Sequence, residues 1–195
     1  MNRKTFFALA IATVLVVAAA EPVMAYTLLS PRRTWASTPV SVRVYTGPNS
    51  SINDGSGGVN AVVGAIDTWA VVTSASTNQQ AVRGQAPATI MLNNNGKICN
   101  GSCLAATLTG YYSGNTIYDA DVYTNTRYKF TSSGETDGCS GEFDMDGIMV
   151  HEVGHVIGIG HSSVAGATMY PSVSSCNYNN RTLENDDTAA KNDLY

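Results

Sequence analysis

The sequence predicts an α+β domain, one twisted sheet with helices packed on it. Three observations carry that expectation. The chain has 195 residues, enough for one domain with a real core and too few for two comfortable ones. Its apolar fraction of 44% is too high for a disordered chain. Its hydrophobic pattern reads β-α-β-β-β-α-α, with no internal repeat.

The first element is not part of that domain. Asn2-Arg3-Lys4 precedes an apolar run from Phe6 to Ala20, and Val23-Met24-Ala25 supplies small residues at the end. A basic start, a short apolar stretch and a small-residue site read as a secretory signal peptide over residues 1–25. The run falls short of the roughly 18 residues of a membrane span. Residues 26–195 are then the working domain, exported to the extracellular space, or to the periplasm in a Gram-negative source, with no membrane anchor.

Pro39 to Thr46 alternates apolar and polar residues and ends at Gly47-Pro48, a strand followed by a turn. Asn53 to Gly58 is loop and helix-start chemistry. From Val59, apolar residues recur at Val62, Val63, Ile66, Trp69 and Ala70, the spacing of a helix with one buried face. Ala88–Leu92, Leu104–Leu108 and Ile117–Tyr123 read as three more strands. Helical character returns at Phe143, with Asp144 or Asp146 as the cap and Met149, Val153 and Ile157 on one face. A last short helix starts near Asp186 and carries Leu194 inward.

Charge narrows the function. There are 11 Lys+Arg against 15 Asp+Glu, a net charge of -4, which argues against a nucleic-acid partner. Four cysteines in an exported chain suggest two disulfides, with three pairings open. The favoured one joins Cys99 to Cys103 across a tight Asn-Gly-Ser loop, and Cys139 to Cys176.

All three histidines of the chain, His151, His155 and His161, fall in one short window that reads H-E-x-x-H-x-x-G-x-x-H. Four apart on a helix, His151 and His155 project from one face about 5–6 Å apart, which suits two imidazoles meeting one Zn2+. Glu152 flanks that position without ligating and is placed to act on a water as general base. A continuing helix would carry His161 about 15 Å along the axis. Gly158 permits a left-handed turn that ends the helix and brings His161 back. Three histidines leave the fourth zinc position open, the catalytic arrangement. Downstream, Ala167-Thr168-Met169-Tyr170-Pro171 is a turn with one apolar side chain.

The histidine motif followed by a Met-containing turn resembles the metzincin zinc endopeptidases. Ser162 after the third histidine and the run Met169-Tyr170-Pro171 resemble the matrixins within that clan. Leu183-x-x-Asp186-Asp187 and Leu194-Tyr195 resemble the closing matrixin helix, and Leu104-Ala105 the start of the sheet-edge strand that lines a matrixin cleft. The resemblance spans roughly residues 35–195 and is specific over 151–171. It implies a metzincin-like twisted mixed sheet with long helices, an active-site helix ending at Gly158, and a small C-terminal subdomain with a Met-turn. It implies hydrolysis of an extended peptide or protein held by strand addition near Leu104–Leu108, in a monomer, with Met169 as an apolar floor under the metal.

Several features depart from the matrixin pattern. No histidines remain for the second, structural zinc of matrixins, so that site is expected to be missing. Pro171-Ser172-Val173 stands where matrixins usually have Pro-x-Tyr. Neither the inhibitory pro-segment with its cysteine nor a propeller domain is expected. Asp119, Asp121, Asp137, Glu142, Asp144 and Asp146 offer oxygen ligands for a structural Ca2+, and solvated carboxylates or helix caps explain them equally well. Asp186 or Asp187 either pairs with a freed N-terminal ammonium, as the resemblance suggests, or caps the last helix. The alternative to an enzyme is a zinc-binding secreted protein without activity, and the intact Glu152 argues against it.

Overall fold

A computed structural model describes residues 25–45, 52–53, 58–77, 88–94, 103–132 and 138–195. The expected signal peptide over residues 1–25 falls almost wholly outside this set, as do Cys99 and Asp137. In chain order the elements begin with β1 (Tyr26–Leu28), β2 (Thr34–Trp35), β3 (Val40–Tyr45), β4 (Ile52–Asn53), α1 (Val59–Trp69), β5 (Val72–Thr77) and β6 (Ala88–Asn94). They continue with β7 (Ala105–Tyr111), β8 (Thr116–Asn125), β9 (Phe130–Thr131), β10 (Phe143–Asp144), α2 (Met145–Val156), β11 (Ile159–Ser162) and α3 (Asn185–Leu194).

The main sheet runs β2-β8-β6-β3-β5, all parallel, and β7 pairs antiparallel with β8. This is the mixed sheet expected of the α+β domain, with all but one of its strand pairings parallel. Along β3, Val40, Val42 and Val44 are buried while Ser41 and Arg43 are half-buried, the alternation of a strand with one face on the core. Those valines join Ile90, Leu92 and Val122 of the sheet, Val62, Ile66 and Trp69 of α1, and Met149 and Val153 of α2 in one buried cluster. Helix α1 packs on α2, and the Trp69 indole Nε1 donates to the Val150 carbonyl at 2.6 Å. Among the described residues no helix is long and apolar enough to cross a membrane.

The structure corrects several details. On α1 the buried face is Ala61, Val62, Ala65, Ile66 and Trp69. Val63 is exposed, and Ala70 lies past the helix end at φ 58, so Ala61 and Ala65 complete the buried face instead. Strand β5 went unread because Val72-Thr73-Ser74-Ala75-Ser76-Thr77 lacks an apolar alternation, yet it closes one edge of the sheet against β3. Helix α2 starts at Met145 rather than Phe143. Phe143–Asp144 pairs parallel with β9, and β9 with β4. Of the two candidate caps, Asp144 is the one used, its side chain accepting from the Gly147 amide at 3.1 Å. Arg181 engages Asp144 through Nε at 2.9 Å and Nη2 at 2.7 Å, and reaches Asp146 at 3.1 Å. Met149, Val153 and Ile157 are fully buried as expected.

The C-terminal part is tied to the start of the chain. Strand β1 pairs antiparallel with β11. The Asp186 carboxylate accepts from the Ala25 amide at 2.9 Å and the Ser162 hydroxyl at 2.6 Å. Helix α3 begins after Glu184, and Asp187 closes a capping box on the Glu184 amide, so Asp187 carries the helix-start role that was one of the two expectations while Asp186 does not. Asp187, fully buried, accepts from the amides of Thr168 at 2.8 Å, Met169 at 3.0 Å and Glu184 at 2.9 Å. Cys139 and Cys176 form the expected disulfide, joining segments on either side of α2 and β11.

Removing the Asp187 carboxylate strands three amide donors in a dry place. Asp187→Ala should therefore cost on the order of 3 kcal/mol of stability in denaturant unfolding. A loss under about 1 kcal/mol would show that the turn at Met169 does not depend on that carboxylate.

Candidate active site

Helix α2 carries His151, Glu152 and His155. The two imidazoles stand one turn apart on one face, with ring centroids 4.7 Å from each other. Each ring is oriented through Nδ1, which lies 2.8 Å from the Thr168 carbonyl in His151 and 2.7 Å from the Ile159 carbonyl in His155. A carbonyl can only accept, so Nδ1 carries the proton and donates. The lone pair is then left on Nε2, the state a metal requires.

The third histidine arrives by a turn and a short strand. Helix α2 ends at Val156, and Gly158 adopts φ +102, a left-handed conformation that suits glycine. A Cβ there would also lie 2.3 Å from the Arg33 carbonyl oxygen. Chain direction and close packing both demand glycine. The chain then runs back as β11 against β1, and the Thr27 hydroxyl donates to the His161 carbonyl at 2.7 Å. His161 is thereby brought to centroid distances of 5.3 Å from His151 and 4.9 Å from His155. One ligand atom from each of the three lies within 4.8 Å of the others.

Burial keeps these rings neutral. It pushes His151 and His155 down to about 4, and the neighbouring His155 adds to the effect on His151. His161, more open, is lowered by burial as well. Glu152 is pushed the other way, up from the usual carboxylate range, because it is almost fully enclosed. Its neighbours His151 and Thr107 oppose that shift. Three converging imidazoles, two of them anchored through Nδ1, form a donor set that fits Zn2+. Among the described residues the carboxylates considered for Ca2+ form no comparable cluster.

Met169 is fully buried beneath the helix. A Cβ on Gly154 would come within 2.3 Å of the Met169 sulfur and 2.8 Å of the Trp69 ring, so α2 must be bare at this position, next to His155, for the sulfur to fit. In front of the site is a cleft of about 450 Å³. It follows one face of α2, past His155, His151, Ile148 and Asp144, and its opposite wall includes Leu104–Thr107 of the β7 segment. Pro171, Ser172 and Val173 line it too. The predicted edge strand is therefore where it was expected. Three contributors went unread: Thr27, which holds β11; Gly154, which admits Met169; and Thr107, whose hydroxyl meets Glu152 at 2.5 Å. None carries a periodic or spacing signal, because each acts through a partner far away in sequence.

The peptidase family model described as Matrixin matches residues 35–195. The chain is 43% identical over 56 residues to Metalloendoproteinase 1 of Glycine max, a stretch covering 29% of this chain and 17% of that protein. It is 35% identical over 86 residues to Karilysin of Tannerella forsythia, covering 44% of this chain and 15% of the relative. It is 57% identical over 30 residues to Metalloendoproteinase 4-MMP of Arabidopsis thaliana, covering 15% of this chain and 9% of the relative. The matches thus span less than a fifth of these curated relatives' own length.

Two outcomes follow from the site. Folded His151 and His155 resist protonation down to about pH 4, whereas the unfolded chain takes up protons near the ordinary histidine value of 6.5. Stability of the metal-free protein is therefore full above about pH 6.5 and falls as pH drops towards 4. Thermal melts in a chelator should show the melting temperature declining across that window, and a flat profile would contradict the burial argument. Gly158→Ala should displace the turn against Arg33, lowering zinc affinity by about tenfold or more, as read by competition with a chromophoric chelator.

Proposed function

The chain belongs to the matrixin family, and from that premise we propose that it is a zinc-dependent endopeptidase in which His151, His155 and His161 hold the metal and Glu152 is the general base. The single observation that carries the reading is the convergence of three neutral imidazoles beside a buried carboxylate at the mouth of a cleft. A zinc ion at such a site supplies Lewis acidity, lowering the pKa of water towards neutrality and polarising a peptide carbonyl.

The chain's own residues do the rest. Strand β7 pairs on one side with β8 and, among the described residues, with no other strand. An extended peptide adds to that open edge, which fixes its main chain in register beside α2. Glu152 takes a proton from the attacking water and returns it to the departing amine. Enclosure raises its proton affinity above that of an ordinary carboxylate. The Nδ1 bonds to Thr168 and Ile159 hold two rings in one tautomer throughout.

Export belongs to the same reading. The basic start and apolar run over residues 1–25 support removal of a signal peptide, and the Cys139–Cys176 disulfide suits an oxidising compartment outside the cytoplasm.

Purified protein loaded with zinc should cleave unstructured polypeptides and lose that activity to a chelator. Glu152→Ala should retain one zinc per chain and lose turnover by a factor of about 10³ or more. Full zinc occupancy with no cleavage across broad peptide pools would favour a binding protein. Undiminished cleavage by Glu152→Ala would remove the carboxylate from the mechanism.

A further inference from the structure

Strand β7 forms one wall of the cleft and packs against α2. Thr107, at its centre and opposite Val122 of β8, sends its side chain to the helix. Its Oγ1 stands 2.5 Å from Glu152 Oε2 and 3.2 Å from the Glu152 carbonyl oxygen. One hydroxyl proton serves one acceptor at a time, and the short contact to a charged oxygen is the stronger. The other carboxylate oxygen, Oε1, has no hydrogen-bond partner among the described residues, while Glu152 itself lines the cleft.

We propose that Thr107 is a positioning residue for the reaction. Its hydroxyl fixes Oε2 of Glu152 and so leaves Oε1, turned to the cleft, as the oxygen that carries the proton. The inference rests on the reading of Glu152 as general base and deepens it. A glutamate side chain has freely turning bonds whose freedom must be removed for proton transfer to be efficient. Burial between helix and strand limits where the carboxyl group sits, and the threonine bond sets which way its plane faces. The same residue belongs to the open strand edge. A peptide seated on β7 is therefore placed by the strand that also orients the base. The ordinary reading of a threonine in a strand, a β-branched residue chosen for its shape, leaves the hydroxyl without a role and makes valine an equal substitute.

The test turns on that difference. Thr107→Val keeps the shape and removes the hydroxyl, and Thr107→Ser keeps the hydroxyl. Each is compared with wild type and Glu152→Ala for kcat and KM on a quenched peptide, for zinc content, and for melting temperature. The valine variant should bind zinc fully and melt like wild type, with kcat reduced about 10- to 100-fold and KM changed by less than about threefold. The serine variant should recover most of kcat. Against a Glu152→Ala background, Thr107→Val should have no further effect on residual turnover, because the group it positions is gone. Wild-type kcat in Thr107→Val beside an inactive Glu152→Ala would overturn the inference while leaving the general base in place. A loss that follows zinc content or melting temperature, and is not recovered by serine, would also overturn it by making Thr107 structural. An active Glu152→Ala would instead overturn the general-base reading, and this inference with it.

Discussion

A straight helix can present only two of three imidazoles to one ion, and the architecture around the site answers that constraint. His151 and His155 come from successive turns of α2, but His161 must be returned from beyond the helix end. The turn at Gly158 makes the return, and its positive φ together with the Arg33 carbonyl that a Cβ would strike explains why no side chain stands there. The return also needs a support, which is β1. The N-terminal strand, remote in sequence, pairs with β11 and holds His161 through Thr27. Placement of His161 and docking of β1 are thus one structural event.

The second layer is a set of buried polar contacts that hold the ligands still. Thr168 offers its carbonyl to His151, and its amide is held by Asp187 of α3. Asp187 also holds the Met169 amide, so one carboxylate sets both a ligand's tautomer and the placement of the apolar floor. Trp35 and Tyr195 act at the other end of α2, the indole donating to the Val156 carbonyl at 2.7 Å and the phenol to the Ile157 carbonyl at 2.8 Å. These are the last carbonyls of the helix, which lack partners within it. Tyr195 thereby satisfies a carbonyl at the end of α2, where the Gly158 turn begins. Preorganisation here is built from hydrogen bonds on the backbone around the site more than from contacts to the imidazoles.

Much of this was legible in the sequence, for stated physical reasons. The histidine spacing and the glycine after it are local, and local periodicity survives folding. The fold class followed from alternating patterns at Val40–Val44 and the helical stripe through Ile66 and Trp69. What stayed hidden was either too short or too polar to show a period, as with β1, β9, β10, β11 and the Ser/Thr-rich β5. The roles of Thr107, Thr27 and Asp187 were hidden for a different reason. Each depends on a partner on another element, and a lone hydroxyl or carboxylate in the sequence does not declare its partner. Asp186 and Asp187 show the point well. Their position suggested helix capping, which Asp187 does perform on the Glu184 amide, but it did not show that Asp187 also holds the Met169 turn or that Asp186 is committed to Ala25 and Ser162.

The central claim is that three imidazoles on a helix and a returning strand share one zinc and leave a place open for a reactant. X-ray absorption at the zinc edge, on protein carrying one equivalent of the metal, tests it most directly. The account predicts three histidine nitrogens and one oxygen at about 2.0–2.1 Å, with one nitrogen lost in His161→Ala. A closed shell of four protein ligands, or any sulfur in the shell, would contradict it.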